Sequence, residues 1–345
     1  MAGQTARAIA LDAMGGDGAP QVGVQAALEA VSQSRIPVIL VGPMRRLRRE
    51  VGRFRPLPQG VDLVDAPDVV DSADPPISVL RSKRRSSLTV CAELVREGRA
   101  AAMVTAGNTG AAWVAAKSTL GMIEGVDRPA LAAILPATGG HTLVLDVGAN
   151  VECKPRQLVQ FAVMGSFYAE SVLGVKRPKV GLMSVGEEES KGGPRVREQY
   201  RVLSTAGIHF VGNVEGRDVF TGEVDVIVCD GFTGNVILKV AEGLGEMVIG
   251  MLREEARRSP VYGAGLLMAK GAFRSLKRKV DYSEYGGAPL LGVNGACLIA
   301  HGRSSVKALR NAIRFAHFYA DSGVIRRIGD KILEVLEIRN QRESD

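Results

Sequence analysis

Aromatic residues are scarce in this chain of 345 amino acids, only 5% of the total, with a single tryptophan, Trp113. Nucleic-acid binding leans on aromatic stacking beside basic patches, and no RNA- or DNA-binding motif flanks the basic clusters, so nucleic acid is not an expected partner. Cysteine is equally thin. Cys91, Cys153, Cys229 and Cys297 are widely spaced and form no CxxC pair, and three of them lie in or beside apolar runs. That spacing argues against a disulfide framework or a zinc site and predicts buried, reduced thiols in a cytosolic protein. No stretch approaches the ~20 apolar residues that span a bilayer, which excludes integral membrane insertion. Residues 1–7 are short and polar and the apolar run after them ends at Asp12, so no signal peptide is expected.

The familiar phosphate and nucleophile motifs are missing as well. There is no GxGxxG after the first apolar run and no GxxxxGK[ST] anywhere, which makes NAD and ATP poor ligands for this chain. A GxSxG elbow is absent too, and no histidine advertises itself as the partner of a serine or cysteine nucleophile. His141 to Asp146 matches the HxxxxD pattern of glycerolipid acyltransferases, but the residues between them read as a strand. Side chains alternate along a strand, so residues five apart point to opposite faces and share no hydrogen bond there. His209, His301 and His317 carry no motif and read as structural or surface residues.

What the chain does have is apolar content, 46%, enough for a protein of this length to bury roughly 75% of its unfolded surface. Apolar runs of strand length recur at 8–11, 38–41, 61–64, 101–104, 131–135, 143–147, 180–183, 209–211, 226–229 and 296–300. Segments of helical periodicity such as 87–97, 157–173 and 236–252 separate most of them, and the alternation predicts an α/β fold with a mostly parallel sheet. Ser86 or Ser87 suits a helix start, Gly98 its end and Pro155 the first turn of another helix. Residues 135–142 break the rhythm with two short strands and a tight Gly-Gly turn, an expected antiparallel hairpin. With no internal repeat and no low-complexity linker, one unit over 1–333 followed by a polar tail at 334–345 is expected.

The formal charge of +7 is gathered at Arg45-Arg46-Arg48-Arg49-Arg53-Arg55, at Arg81-Lys83-Arg84-Arg85 and at Lys270-Arg274-Lys277-Arg278-Lys279. An acidic partner or an anionic lipid surface suits such clusters, and solvated arginine faces are the plainer reading of the first. Six glycine-rich segments also recur, at 11–17, 105–110, 146–150, 184–187, 230–235 and 285–289, each after a short apolar run. Loops that leave the carboxyl ends of parallel strands converge on one crevice, and glycine lets them bring backbone N–H groups up to an anion. In the charged loop from Gly186 to Gly193, Lys191 is placed to reach such an anion as a point charge. Asn235, after Gly234 at a helix start, offers an amide donor where the backbone also favours negative charge.

Together these segments resemble the PlsX family, acyl-[acyl-carrier-protein]:phosphate acyltransferases of bacterial phospholipid synthesis. The likeness spans roughly residues 7–330. It rests on Ile9-Ala10-Leu11-Asp12-Ala13-Met14-Gly15-Gly16-Asp17 with Ala19-Pro20, then Ala106-Gly107-Asn108-Thr109-Gly110, Asp146-Val147-Gly148-Ala149-Asn150, Gly231-Phe232-Thr233-Gly234-Asn235 and Tyr285-Gly286-Gly287-Ala288-Pro289-Leu290-Leu291-Gly292, all in order. Two positions depart from the family pattern: Asn294 stands where a lysine is usual, and Arg303 interrupts the usual His-Gly-Ser-Ser. Both departures argue against a substrate contact from that strand.

The resemblance implies a Rossmann-like α/β/α sandwich of the isopropylmalate dehydrogenase and phosphotransacetylase type. It implies that inorganic phosphate attacks the thioester of a long-chain acyl group on acyl carrier protein, giving acyl phosphate for phosphatidic acid and phospholipid synthesis. Phosphate is a good nucleophile and thiolate a good leaving group, so positioning and oxyanion stabilisation suffice and no cofactor is expected. The phosphate cradle is assigned to Gly15, Gly16, Asn108, Thr109, Gly110 and Gly234, with Asp12, Asp17, Asn150 and Glu187 orienting. Lys191 and Asn235 are assigned to stabilise developing charge. A homodimer, and a membrane-bound acyl-phosphate:glycerol-3-phosphate acyltransferase downstream, are implied as partners. The alternatives are a phosphotransacetylase-like enzyme acting on short-chain acyl-CoA and a non-catalytic scaffold at the membrane surface.

One segment, about 251–283, reads as a helical excursion from the sheet. Tyr262, Leu266, Ala269, Phe273, Leu276 and Val280 recur at steps of four and three, flanked by Lys270, Arg274 and Lys277. Gly263, Gly265 and Gly271 each weaken a helix by about 1 kcal/mol relative to alanine, which suits an element that orders on contact. Three occupants fit the stripe: an anionic membrane surface, the protein's own core or partner subunit, and acidic acyl carrier protein. The membrane is favoured, because a hydrophobic acyl phosphate is consumed there, and the expected location is cytoplasmic with reversible peripheral attachment.

Overall fold

The computed structural model describes residues 7–54, 56–269, 271 and 286–342. Strand β1 (Ala8–Asp12), helix α1 (Gln21–Ser34), β2 (Val38–Gly42), α2 (Met44–Val51) and β3 (Val61–Asp65) form the first parallel run. A 3-10 turn (Pro76–Leu80), α3 (Ser87–Arg96), β4 (Ala100–Thr105) and α4 (Thr109–Leu120) follow. Ser86 caps α3 through the Thr89 N–H, and Gly98 closes that segment at φ +72°, as the sequence leads one to expect. The hairpin is present as β5 (Ala130–Ala137) and β6 (Gly140–Leu145). Its two turn residues are Thr138 and Gly139, Gly139 at φ +80°, so Gly140 already belongs to the strand.

The second half holds α5 (Pro155–Val172), β7 (Val180–Met183), α6 (Pro194–Ser204), β8 (Phe210–Val214), β9 (Val226–Val228) and α7 (Gly231–Arg258). It continues with α8 (Pro260–Met268), β10 (Ala288–Leu291), β11 (Ala296–Ile299), α9 (Val306–Asp321) and α10 (Val324–Arg342). All eleven strands join one sheet in the order β3-β2-β1-β4-β11-β10-β5-β6-β9-β7-β8. Residues of inner strands such as β2 and β4 are buried on both faces, which is why their sequences read as continuous apolar runs. Ile9 and Leu11 of β1 enter a core with Leu40, Phe161 and Tyr319, where α1, α5, α9 and α10 pack. Ala10 enters the other core with Val41, Leu88, Met103 and Ala115, covered by α3 and α4. The result is the expected α/β/α sandwich.

Four details differ from the sequence reading. The parallel set β3-β2-β1-β4-β11 and the set β6-β9-β7-β8 run in opposite directions, because three antiparallel pairings, β11 with β10, β10 with β5 and β5 with β6, stand between them. The glycine loops therefore do not leave one common sheet edge. Strand β10 is hidden in the sequence by its flanking glycines and by Pro289, which read as loop, and Gly286 and Gly287 precede a strand instead of following one. There is no break at Met251: α7 runs unbroken to Arg258 and the chain re-enters helix at Pro260. Most of the expected polar tail is helical, as part of α10. Of the excursion residues singled out above, Lys270, Phe273, Arg274, Leu276, Lys277 and Val280 lie outside the described residues, as does Tyr285, and Leu266 falls within α8.

Candidate functional site

The loops after β1, β4 and β11 meet in one cluster. Asp12, the buried last residue of β1, accepts the Met14 N–H at 3.0 Å and the Thr105 hydroxyl at 2.7 Å, and Thr105 in turn accepts the Gly107 N–H at 2.9 Å. Burial pushes the Asp12 carboxyl above its ordinary range, against these donors. Gly15 must be glycine because a Cβ there would lie 2.6 Å from the Gly107 nitrogen. Gly16, at φ +92°, lies against the Gly302 carbonyl, which also accepts the Asp17 N–H at 2.9 Å. The loop after β11, despite Arg303, is thus built into this cluster.

Asn108 is a scaffold as well as a cap. Its Oδ1 accepts the Ala111 N–H, and its Nδ2 donates to the carbonyls of Asp74 at 3.0 Å and Ser72 at 3.2 Å. Its amide is thereby committed to holding the α4 N-terminus, where Thr109 is exposed and Gly110 lies against Pro76. A helix N-terminus favours an anion. Thr105→Val removes the hydroxyl that joins Asp12 to Gly107 without changing the side-chain shape. It is expected to cost about 2 kcal/mol in urea unfolding; an unchanged midpoint would show that this bridge does not hold the cluster.

The second cluster gathers around the loop after β6. Asp146 is fully buried and accepts N–H groups from Leu131, Gly148, Ala149 and Asn150 and the Asn150 amide at 2.8 Å, while burial raises its carboxyl. Asn150 also donates to the Pro129 carbonyl at 2.8 Å, and its buried Oδ1 has no hydrogen-bond partner among the described residues. Helix α7 sits directly on this loop: Gly231 donates to the Asn150 carbonyl at 2.7 Å, and Gly234 faces the Asp146 carbonyl and Cys229. Asp230 caps the helix through the Thr233 N–H at 2.8 Å. Asn235 is exposed, its side chain lying beside Gly148. His141, at the far end of β6 and exposed, is separated from Asp146 as strand alternation requires.

Helix α7 joins the two clusters. One face carries Asn235, Lys239, Glu242 and Glu246 at steps of four, three and four. Lys239 Nζ lies 2.8 Å from Glu242 and 3.4 Å from His301 Nε2, and Arg303 lies 4.0 Å from Glu246. One helical turn, about 6 Å along the axis, therefore separates Asn235 from the lysine that touches the first cluster. Glu187 and Lys191 make no hydrogen bond or ion pair to either cluster among the described residues. Glu187 pairs with Arg217 at 2.7 Å, while exposed Lys191 is 4.0 Å from Glu188 and folds its stem over Gly186.

Thr105, His301 and Lys239 are what the sequence reading passed over. Thr105 and His301 share a usable signal with Asp12: each is the polar residue that ends an apolar strand run at its carboxyl end.

A sequence model described as fatty acid synthesis protein matches residues 7–327. The chain is 49% identical over 326 residues to a phosphate acyltransferase of Geotalea uraniireducens, covering 94% of each chain. It is 48% identical over 333 residues to one of Pelotomaculum thermopropionicum, covering 96% of each. Its architecture is similar to a phosphotransacetylase from Streptococcus pyogenes, with TM-score 0.64 and 16% identity over 93% of this chain and 94% of that one. The EutD phosphotransacetylase from Staphylococcus aureus aligns with TM-score 0.60 and 14% identity over 91% and 94%. At such identities it is the fold that is shared.

Proposed function

The chain belongs to the fatty acid synthesis protein family and is a phosphate acyltransferase, and from that premise we propose that it moves a long-chain acyl group from acyl carrier protein to inorganic phosphate. A phosphate oxygen bonds to the thioester carbonyl carbon, the C–S bond breaks, and its electron pair leaves on the carrier sulfur, which takes up the proton that the hydrogen phosphate gives up and is released as the thiol. The observation that supports direct attack is geometric: α7 joins the two loop clusters, with the α4 N-terminus exposed at Thr109 and the α7 start seated beside Gly148. Cys229 and Cys153 are buried, and burial pushes the Cys229 thiol well up and the Cys153 thiol up to about 12, which disfavours the thiolate form at both. What the surroundings offer instead is positioning: the Gly15–Gly16 loop, the α4 N-terminus at Thr109 and Gly110, and the α7 N-terminus for phosphate.

Asp12, Asn108 and Asn150 serve by fixing those loops, Asp17 and Glu187 orient from exposed positions, and Gly234 lets the α7 N-terminus come close. Lys191 and Asn235 stabilise the charge that develops on the carbonyl oxygen or the phosphate. A homodimer fits the exposed apolar stripe of α7, Val236, Val240, Leu244, Met247 and Met251, which asks for a covering surface. Among the described residues no helix is long and apolar enough to cross a membrane. Reversible attachment to an anionic membrane through Leu266, Phe273 and Leu276, with Lys270, Arg274 and Lys277 alongside, places the product where a membrane-bound acyltransferase consumes it.

Purified protein given acyl-carrier protein and labelled phosphate is expected to form acyl phosphate with no ATP, NAD or added metal, at a rate unchanged by a chelator. Loss of the rate on chelation, restored by a divalent ion, would overturn the metal-free chemistry. Turnover of short-chain acyl-CoA with none on the carrier would shift the reading to a phosphotransacetylase-like enzyme.

A further inference from the structure

The segment between β3 and α3 presents a basic, partly apolar platform that the chemistry above leaves unused. Its acids bond within the segment itself, Asp68 to a backbone N–H and Asp71 and Asp74 to one shared lysine. Asp68 accepts the Arg85 N–H at 2.9 Å, and Asp74 accepts the Asp71 N–H at 2.6 Å and pairs with the half-buried Lys83, which also lies 3.7 Å from Asp71. The hydrogen bond between Lys83 and Asp74 draws the carboxyl below and the ammonium above their ordinary values. Arg81, Arg84 and Arg85 remain exposed and make no ion pair among the described residues, with Ile77 and Leu80 exposed beside them.

The platform is held by internal hydrogen bonds and tied to the loop at the α4 N-terminus. Ser78 and Val79 are buried beneath it, the Lys83 N–H bonds the Ser78 carbonyl at 2.8 Å, and Arg84 Nε bonds the Leu80 carbonyl at 2.9 Å. Asn108 grips the carbonyls of Ser72 and Asp74, and Pro76 fills the space in front of Gly110. A protein seated here is therefore adjacent to the α4 N-terminus.

Resting on the reaction above, we propose that this platform is the docking surface for the acidic carrier protein that bears the acyl thioester. Arg81, Arg84 and Arg85 face its carboxylates, and Ile77 and Leu80 make the apolar contact between them. Three exposed guanidinium groups with no ion pair among the described residues, flanked by exposed Ile77 and Leu80, make an anionic partner with an apolar patch the complementary one, and such pairing chiefly raises encounter rate and fixes orientation. The flexible arm of the carrier then enters beside Thr109 and Gly110. The other arginine-rich element, α2, has no hydrogen bond to the β4–α4 turn among those described.

Steady-state kinetics of Arg81→Glu/Arg85→Glu tests this. Arg84 is retained because its guanidinium holds the turn. The expected result is a rise of about tenfold or more in KM for acyl-carrier protein with kcat kept, a weaker salt dependence of kcat/KM, and unchanged turnover of a small acyl-pantetheine thioester. The charge-matched Arg45→Glu/Arg49→Glu on α2 is expected to leave KM within about twofold. An unchanged KM in the first variant, an equal rise in both, or a parallel loss on the small thioester would each overturn the assignment. Acyl phosphate formation by the unaltered enzyme tests the reaction itself, so its failure is separate from that of the docking surface.

Discussion

Gly234→Ala is expected to destabilise the protein by at least ~3 kcal/mol in urea unfolding, or to prevent its accumulation as folded protein. An alanine Cβ there would overlap the Asp146 carbonyl oxygen, lying 2.8 Å from its carbon and 3.0 Å from Cys229 Sγ. The obstacle is backbone held by several hydrogen bonds, so no side chain can rotate away, and overpacking of this kind reaches the upper end of its usual cost. Gly231 meets the Asn150 carbonyl the same way at 2.6 Å, so the two glycines let one face of the first turn of α7 lie flat on the β6 loop. Gly243, farther along the same helix, has nothing within 4 Å of its Cβ position. Gly243→Ala is therefore expected to gain up to about 1 kcal/mol from helix propensity. A Gly234→Ala variant that melts with the parent would show that α7 is not seated on that loop.

The strands were largely legible because a sheet buried on both faces imprints continuous apolar runs, as at Val38–Gly42 and Ala100–Thr105. Strand β10 was not, because Pro289 and the preceding glycines carry the local signature of a loop, and only its antiparallel neighbours β11 and β5 make it a strand. The direction of each half of the sheet was hidden for a similar reason. Alternation of strands and helices is the same whether a second parallel set runs with the first or against it, and the hairpin at Thr138 and Gly139 together with β10 sets the reversal. Glycine-rich loops marked both clusters correctly as places of close backbone approach. Sequence alone does not say what approaches: at Gly15 and Gly234 it is another loop of the protein, whereas Thr109 stays exposed at a helix start. The role of α7 as the bridge between clusters depends on Lys239 meeting His301, 62 positions away, which no local pattern announces.

Lys191→Ala and Asn235→Ala are each expected to lower kcat by ~10²-fold with little change in KM for the carrier and an intact fold, since a donor aimed at developing charge acts mainly in the transition state. Both side chains are free to act. Lys191 is half exposed and its 4.0 Å separation from Glu188 is a loose surface pair, contributing little to holding it. Asn235 is exposed at the start of the second turn of α7, just inside the helix end that favours negative charge. Neither side chain holds the core, so far-UV circular dichroism and thermal midpoint should match the parent. The double variant distinguishes shared from separate roles. If both donors serve one oxyanion, the second substitution removes less than the first and the combined loss stays below ~10⁴-fold; independent roles multiply. Near-normal turnover in both single variants would move the charge-stabilising role elsewhere, and Lys239, one turn beyond Asn235 and in contact with His301, is then the next cation to replace.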